Sequence, residues 1–287
     1  MLKLGIDLGG TKIEGILLDE KGREINRKRI PTQRDDGYDA IVDRICSLVY
    51  ELKGVNETTI GICTPGSIDP KTEKLKNSNT VCLIDKPLKQ NIESKIGQPI
   101  IMENDANCFA LAEAKMGAGK KHSIVFGVIL GTGVGGGIVI DGKIHHGRSH
   151  IAGEWGHHTL YPNGKNCYCG QKGCVEAYIS GPALESRYKE ITGDQKIVTD
   201  IALNPPSNWK NEFTQNFGIA LSNVINILDP DVIVLGGGVS KCEFLYSDGA
   251  NSVHNYVFSP NADTPIVKHT LGDSAGVIGA AWLGDSS

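Results

Sequence analysis

Residues 4–18 read LGIDLGGTKIEGILL, and what this stretch does twice decides the fold. Leu4, Ile6 and Leu8 alternate with small or polar residues as a strand does, Gly9-Gly10-Thr11-Lys12 interrupts them, and 13–18 resumes the strand. Residues 19–22 then turn the chain into a third strand over 24–30. The same grammar returns at 124–140, IVFGVILGTGVGGGIVI. There a strand runs to Leu130, a glycine turn covers 131–136, a strand covers 137–140, and Asp141-Gly142 makes a tight turn into a third. Two copies of one strand-loop-strand unit predict two related domains whose glycine loops face each other across a cleft.

Between the copies, helix and strand alternate. Apolar residues at 41, 45, 48, 49 and 52 give 38–52 a helical face, and a short strand follows over 59–63, ended by Pro65-Gly66. Helices are expected over 87–96 and 106–116, with a buried strand at 99–103 between them. Gly117 and Gly119 mark a boundary, so the first domain is read as 1–118 and the second as 119–274, with a closing helix within 275–287 rejoining the first. In the second half, helices are expected over 182–191 and 213–228 and strands over 232–235 and 265–270. Gly236-Gly237-Gly238 forms a third glycine loop, and 192–209 reads as loop with at most one short helix. The class is α/β.

A hydrophobic content of 40% with 22% charged residues is that of a soluble globular protein, and no run of about 18 apolar residues is present to cross a membrane. The amino terminus enters a strand pattern directly, without the features of a signal peptide, so a cytoplasmic location is expected. The net charge of -4, with signs interspersed, offers no basic stripe for nucleic acid. Cys46, Cys63, Cys82, Cys108 and Cys242 are scattered, which fits reduced core thiols better than a disulfide framework. Glycine is in excess, 36 of 287 residues, and much of it sits in the three loops.

A different chemistry is concentrated at 154–176, EWGHHTLYPNGKNCYCGQKGCVE. Cys167, Cys169 and Cys174 lie close together with Gly170 and Gly173 between them, so the backbone can fold back and aim three sulfurs at one point. A fourth ligand can come from His157, with His158 as its rival, making a closed tetrahedral zinc site of the structural kind. The plainer alternative is three incidental buried cysteines. Glu154, His157 and Glu176 flank the cluster, and the second ring nitrogen of a metal-bound histidine can meet a sugar hydroxyl.

Two further signals point to phosphoryl transfer. Asp7 stands at a strand end before Gly9, Gly10, Thr11 and Lys12, where backbone amides can hold phosphate oxygens while a carboxylate organises hydrated magnesium. No G-x-x-x-x-G-K-[ST] motif is present, and Gly131-x-Gly133-x-x-Gly136 leads into strand, where a dinucleotide fingerprint would open a helix. In Glu103-Asn104-Asp105-Ala106-Asn107, Asp105 falls where strand gives way to helix; it reads as a helix N-cap, as a base that accepts a hydroxyl proton, or as both. Asn79, in Asn77-Ser78-Asn79, can hydrogen-bond a polyol or simply shape a turn.

Taken in order, DLGGTK at 7–12, ENDAN at 103–107, LGTGVGGG at 130–137, GEWGH at 153–157, CYCGQKGCVE at 167–176 and VLGGG at 234–238 resemble the ROK family of sugar kinases along essentially the whole chain. That resemblance implies the two-domain actin-like ATPase (ribonuclease H-like) fold with a duplicated core and a structural zinc loop. PTQRDDGYDA, TPGSIDPKT, NILDPDVIVLGGG and GDSAGVIGAAWL resemble bacterial fructokinases most, and NDANCFALAEA is shared with N-acetylglucosamine kinases. The family then implies Asp105 as general base on the 6-hydroxyl of a hexose, fructose first, with N-acetylglucosamine or glucose as alternatives. Gly66, Asn79, Asn104, Glu154, His157 and Glu176 would hold the sugar. Asp7, Gly9, Gly10, Thr11, Lys12, Gly131, Thr132, Gly133 and Gly237 would contact MgATP, and His157, Cys167, Cys169 and Cys174 would bind structural zinc. A homodimer is implied by family likeness alone. Family members that act as repressors carry a helix-turn-helix module first, and six residues before Asp7 leave no room for one; a silent sugar sensor is the non-enzyme rival.

Overall fold

The computed structural model describes residues 1–69, 71–76 and 80–285. Asn79, expected to hold sugar, lies outside the described residues. Contacts divide the chain into two compact units, one made of Met1–Lys120, Gly142–Ala152 and Leu271–Ser287 and the other of Lys121–Asp141 and Gly153–Thr270.

The first unit opens with strands β1 (Leu2–Leu8), β2 (Lys12–Leu18) and β3 (Glu24–Pro31), then α1 (Tyr38–Lys53) and β4 (Thr58–Thr64). A small hairpin, β5 (Ser67–Ile68) and β6 (Leu75–Lys76), precedes α2 (Leu88–Ile96), β7 (Ile101–Asn104) and α3 (Asp105–Met116). The main sheet has the order β3-β2-β1-β4-β7, antiparallel across β3-β2-β1 and parallel across β1-β4-β7. One face is apolar by alternation: Leu4, Ile6, Leu8, Ile60 and Ile62 pack against Ile41, Ile45, Leu48 and Leu52 of α1.

The second half of the chain repeats this plan. Strands β8 (Ile124–Leu130) and β9 (Val134–Ile140) pair antiparallel, and β10 (Lys143–Ile144) follows the Asp141-Gly142 turn, whose φ values of 49° and 73° are those of a tight hairpin. After α4 (Glu176–Ile179), α5 (Gly181–Thr192), α6 (Val198–Ile201) and the long α7 (Ser207–Leu228) comes β11 (Val232–Gly236). Then follow α8 (Asp248–His254), β12 (Ile266–Lys268) and α9 (Ala275–Trp282). The sheet order is β10-β9-β8-β11-β12, with β8-β11-β12 parallel, the same order and sense as the first sheet. Phe126, Leu130, Ile233 and Leu235 pack against Trp209, Phe213, Phe217 and Leu221 of α7.

Helix α9 belongs to the first unit and lies backbone-close on its sheet. Gly5 and Gly61, paired in register on β1 and β4, each face α9, so that a side chain at either would overlap the carbonyl of Val277 or Ala280. Gly279 meets the backbone of α3 at Cys108 in the same way.

Three element boundaries differ from the sequence reading. The second glycine turn is only 131–133, because Gly135, Gly136 and Gly137 are strand; a side chain on Gly136 would lie 2.8 Å from both the Gly153 carbonyl and the Trp155 ring. Helix α7 starts at Ser207 with a polar first turn that read as loop. The cap of α3 is Asn104, whose Oδ1 accepts from Asn107 N at 2.7 Å, so Asp105 is the first helical residue and not the N-cap.

Candidate active site

In the first unit, five adjacent strands place one in-register row of chemistry: Arg29, Glu14, Asp7, Cys63 and Glu103. Directly opposed residues project to one face, so the row forms a continuous polar stripe near the ends of β1, β4 and β7. Glu14 is fully buried and is held by Arg27 Nη1 at 3.0 Å, Arg29 Nε at 2.9 Å and Lys12 Nζ at 3.7 Å. A buried carboxylate is tolerable there because cations surround it.

Asp7 sits at the centre of the row. Gly276, in the first turn of α9, comes so near that a Cβ there would be 2.8 Å from Asp7 Oδ2. Burial pushes the Asp7 carboxyl up to about 6; a hydrogen bond from the Cys63 thiol opposes the rise, and the nearby charges of Asp105 and Glu14 add to it. The loop after Asp7 is pinned by Gly9 N to Lys12 O at 2.9 Å and by Thr32, whose hydroxyl donates to Gly9 O at 2.6 Å. Gly10 and Thr11 form its tip, with Lys12 drawn toward Glu14.

At the other end of the row, Glu103 Oε1 accepts from Asn104 N at 2.8 Å and Asn107 Nδ2 at 3.0 Å, while Oε2 meets His146 Nε2 at 2.6 Å. Burial alone would raise the Glu103 carboxyl, but His146, Asn107 and Asn104 together hold it below the usual range. His146 is raised in turn by Glu103, against its own partial burial. This network fixes the turn that carries Asn104 and Asp105. Gly66, at φ 98°, follows β4 close by: Thr64 Oγ1 lies 3.4 Å from both the Gly66 and Glu103 carbonyls.

In the second unit, the glycine loop, the GEWGH turn and the cysteine loop interlock. Gly131 N donates to Gly133 O at 2.9 Å, and Thr132 forms the tip. Glu176, the first residue of α4, accepts from Val134 N at 2.8 Å, and a Cβ on Gly133 would be 2.7 Å from the same oxygen. Gly237, at φ 82°, lies against the Leu130 backbone, which brings the third glycine loop beside the first of this unit. Buried Trp155 anchors the GEWGH turn by donating from Nε1 to Gly135 O at 2.9 Å. Gly153, at φ 92°, allows the turn to touch β9, since a side chain there would be 2.5 Å from Gly136 O. Glu154 is left exposed at its start.

The ligand atoms of His157, Cys167, Cys169 and Cys174 all lie within 4.8 Å of one another. Cys167 Sγ is 3.7 Å from His157 Nδ1, and Cys169 Sγ is 3.7 Å from Cys174 Sγ. A tetrahedron with zinc–sulfur bonds of about 2.3 Å has edges of about 3.7 Å, so this donor set fits zinc in size as well as in chemistry. His158 is not part of the group: its Nε2 is buried, and its carbonyl accepts from Val175 N at 3.1 Å. Gly170 and Gly173, at φ 88° and 73°, supply the reversals that bring the sulfurs together.

A family model described as ROK family matches residues 3–286. The chain belongs to the ROK family of sugar kinases. A curated relative, the N-acetyl-D-glucosamine kinase of Vibrio parahaemolyticus, is 38% identical over 97% of this kinase and 98% of its own length. Among solved structures, the ROK hexokinase of Thermus thermophilus covers 99% of this chain at 30% identity with a TM-score of 0.89, and 97% of its own chain is matched. A ROK family glucokinase from Streptomyces griseus, solved with glucose and AMPPNP, covers 99% of both chains at 30% identity and a TM-score of 0.78. The ROK kinase accordingly has the two-domain actin-like ATPase fold with its core duplicated.

Sequence reasoning about this kinase missed three residues of these sites. Glu14 and His146 lie outside every motif and Tyr168 lies inside CYCGQKGCVE without a role read for it there, and each matters through a neighbour that is distant in sequence or through the exact turn of a loop. Only the in-register row, visible once the strands pair, singles out Glu14.

Proposed function

We propose that this ROK kinase transfers the γ-phosphoryl group of ATP to the 6-hydroxyl of N-acetylglucosamine. The observation that carries the sugar assignment is the 38% identity, over nearly the full length of both chains, to a kinase named for that substrate. Asp105 is the base in this reading. It accepts the proton of the 6-hydroxyl as that oxygen bonds to the γ-phosphorus, while the bond to the β,γ-bridging oxygen breaks and ADP leaves. Its place as the first residue of a helix favours a negative charge.

Asn104, Gly66, Glu154, His157, Glu176 and Asn79 orient the sugar, and Gly9, Gly10, Thr11, Lys12, Gly131, Thr132, Gly133 and Gly237 orient the nucleotide. Asp7, buried beside Asp105, is the residue that would hold hydrated magnesium. Magnesium, when bound, neutralises charge on the transferring phosphoryl group. His157, Cys167, Cys169 and Cys174 would hold zinc, and a site with four protein ligands leaves no position for a reacting water, so its contribution is to the shape of the loop.

Fructose is the second reading. The stretches PTQRDDGYDA at 31–40 and NILDPDVIVLGGG at 226–238, with their likeness to fructokinases, favour it. A coupled ADP-release assay with N-acetylglucosamine, fructose, mannose, glucose and N-acetylmannosamine decides the matter. The highest kcat/KM is expected on N-acetylglucosamine. A preference for fructose would replace the first reading with the second, and no turnover on any of the five would leave the sensor reading in its place.

A further inference from the structure

Tyr168 stands between Cys167 and Cys169 and is 81% exposed, yet its phenol is not loose. Its hydroxyl lies 3.2 Å from His157 Nε2, and the two rings meet edge to face at 5.4 Å between centroids and 81° between planes. The other ring nitrogen of His157, Nδ1, is turned to the sulfur of Cys167. An imidazole that gives its Nδ1 lone pair to a cation carries its proton on Nε2, so His157 donates here and the phenol oxygen accepts.

We propose that the Tyr168 hydroxyl is a place-holder, occupying on His157 the position that a sugar hydroxyl takes when substrate binds. The inference rests on the reading of His157 as a sugar contact. Without sugar, the protein acceptor placed on Nε2–H is the Tyr168 oxygen. A phenol oxygen shares its lone pair with the ring and is a poorer acceptor than an alcohol oxygen, so a sugar hydroxyl displaces it. The exposed phenol has open solvent to swing into. The exchange costs the sugar part of its own hydrogen bond, so Tyr168 lowers sugar affinity.

Tyr168→Phe in the full, zinc-loaded chain tests this with N-acetylglucosamine and fructose as acceptors. The sugar KM is expected to fall roughly two- to tenfold, the range of one net hydrogen bond, with kcat and the KM for ATP unchanged. A colorimetric chelator is expected to withdraw zinc faster from the sugar-free variant than from the wild type, since His157 has lost the acceptor that orients it, and saturating sugar is expected to abolish that difference. A sugar KM that stays the same or rises, or a zinc release rate that sugar does not restore, overturns the proposal. Glu154→Gln measured alongside separates the two levels of inference. If that change leaves the sugar KM untouched, the reading of the sugar site fails; if it raises the KM while Tyr168→Phe does not lower it, the place-holder alone fails.

Discussion

The strand-to-helix junction at Asp105 was legible because its neighbours form a short motif there, and the role of Asp105 as base is a proposal. The cap was read at the wrong residue: Asn104 and Asp105 are both good caps, and only the helix start at 105 assigns the task to Asn104. Asp105→Asn should reduce kcat by a factor of about a hundred or more, the scale of general base catalysis, while sugar binding measured by calorimetry persists. Near-normal turnover would remove Asp105 from the mechanism. His146 was invisible in sequence because its partner Glu103 is 43 positions away. Glu103 raises the imidazole and His146 helps hold the carboxyl down, so the pair contributes fully above the ordinary glutamate value of about 4.3 and below the ordinary histidine value of about 6.5. That contribution fades as pH rises through the raised folded value of His146. The stability lost in His146→Ala should therefore be larger at pH 5.5 than at pH 8.5, by at most about 1 kcal/mol because the ring is 41% exposed. Equal losses at both pH values in thermal melts would mean that the charge on His146 does not matter.

Among elements, the strands of both sheets and the helices that cover them were readable, because alternation and a 3.6-residue period survive wherever one face is buried. The elements that escaped include several with little apolar surface to pattern: the β5-β6 hairpin, α4, α8, and the first turn of α7. The cysteine loop is the opposite case. Its spacing announced the cluster, although it has almost no regular structure beyond isolated bridges between Thr159 and Cys174 and between Asn166 and Lys172. A loop so constructed should depend on a cation bound by the cluster. Purified protein is expected to contain one zinc per chain, and chelation should accelerate amide exchange through 158–175 while 207–228 stays protected, as read by mass spectrometry. Protein that loses all its metal without faster exchange there would show that the loop holds itself.

For the whole chain, the duplication was readable in sequence, whereas the grouping of 142–152 was not: the sequence reading gave those residues to the second domain, and most of their contacts are with the first unit although β10 joins the second sheet. The return of the carboxyl terminus to the first unit has a measurable consequence. Val277, Ile278 and Leu283 are buried there, and burying three such side chains is worth about 5–9 kcal/mol, comparable to the whole stability of a domain. Deleting 271–287 should therefore unfold the sheet built on β1 and β4, with protease cleavage appearing within 1–120, while the second unit keeps its zinc. A truncated protein as resistant as the parent would show that α9 is dispensable. The polypeptide passes from one unit to the other four times, at 120/121, 141/142, 152/153 and 270/271. No single cut of the gene can therefore yield two self-sufficient fragments, and anyone building chimeras between this kinase and a relative must graft 1–120, 142–152 and 271–287 as one inseparable cassette.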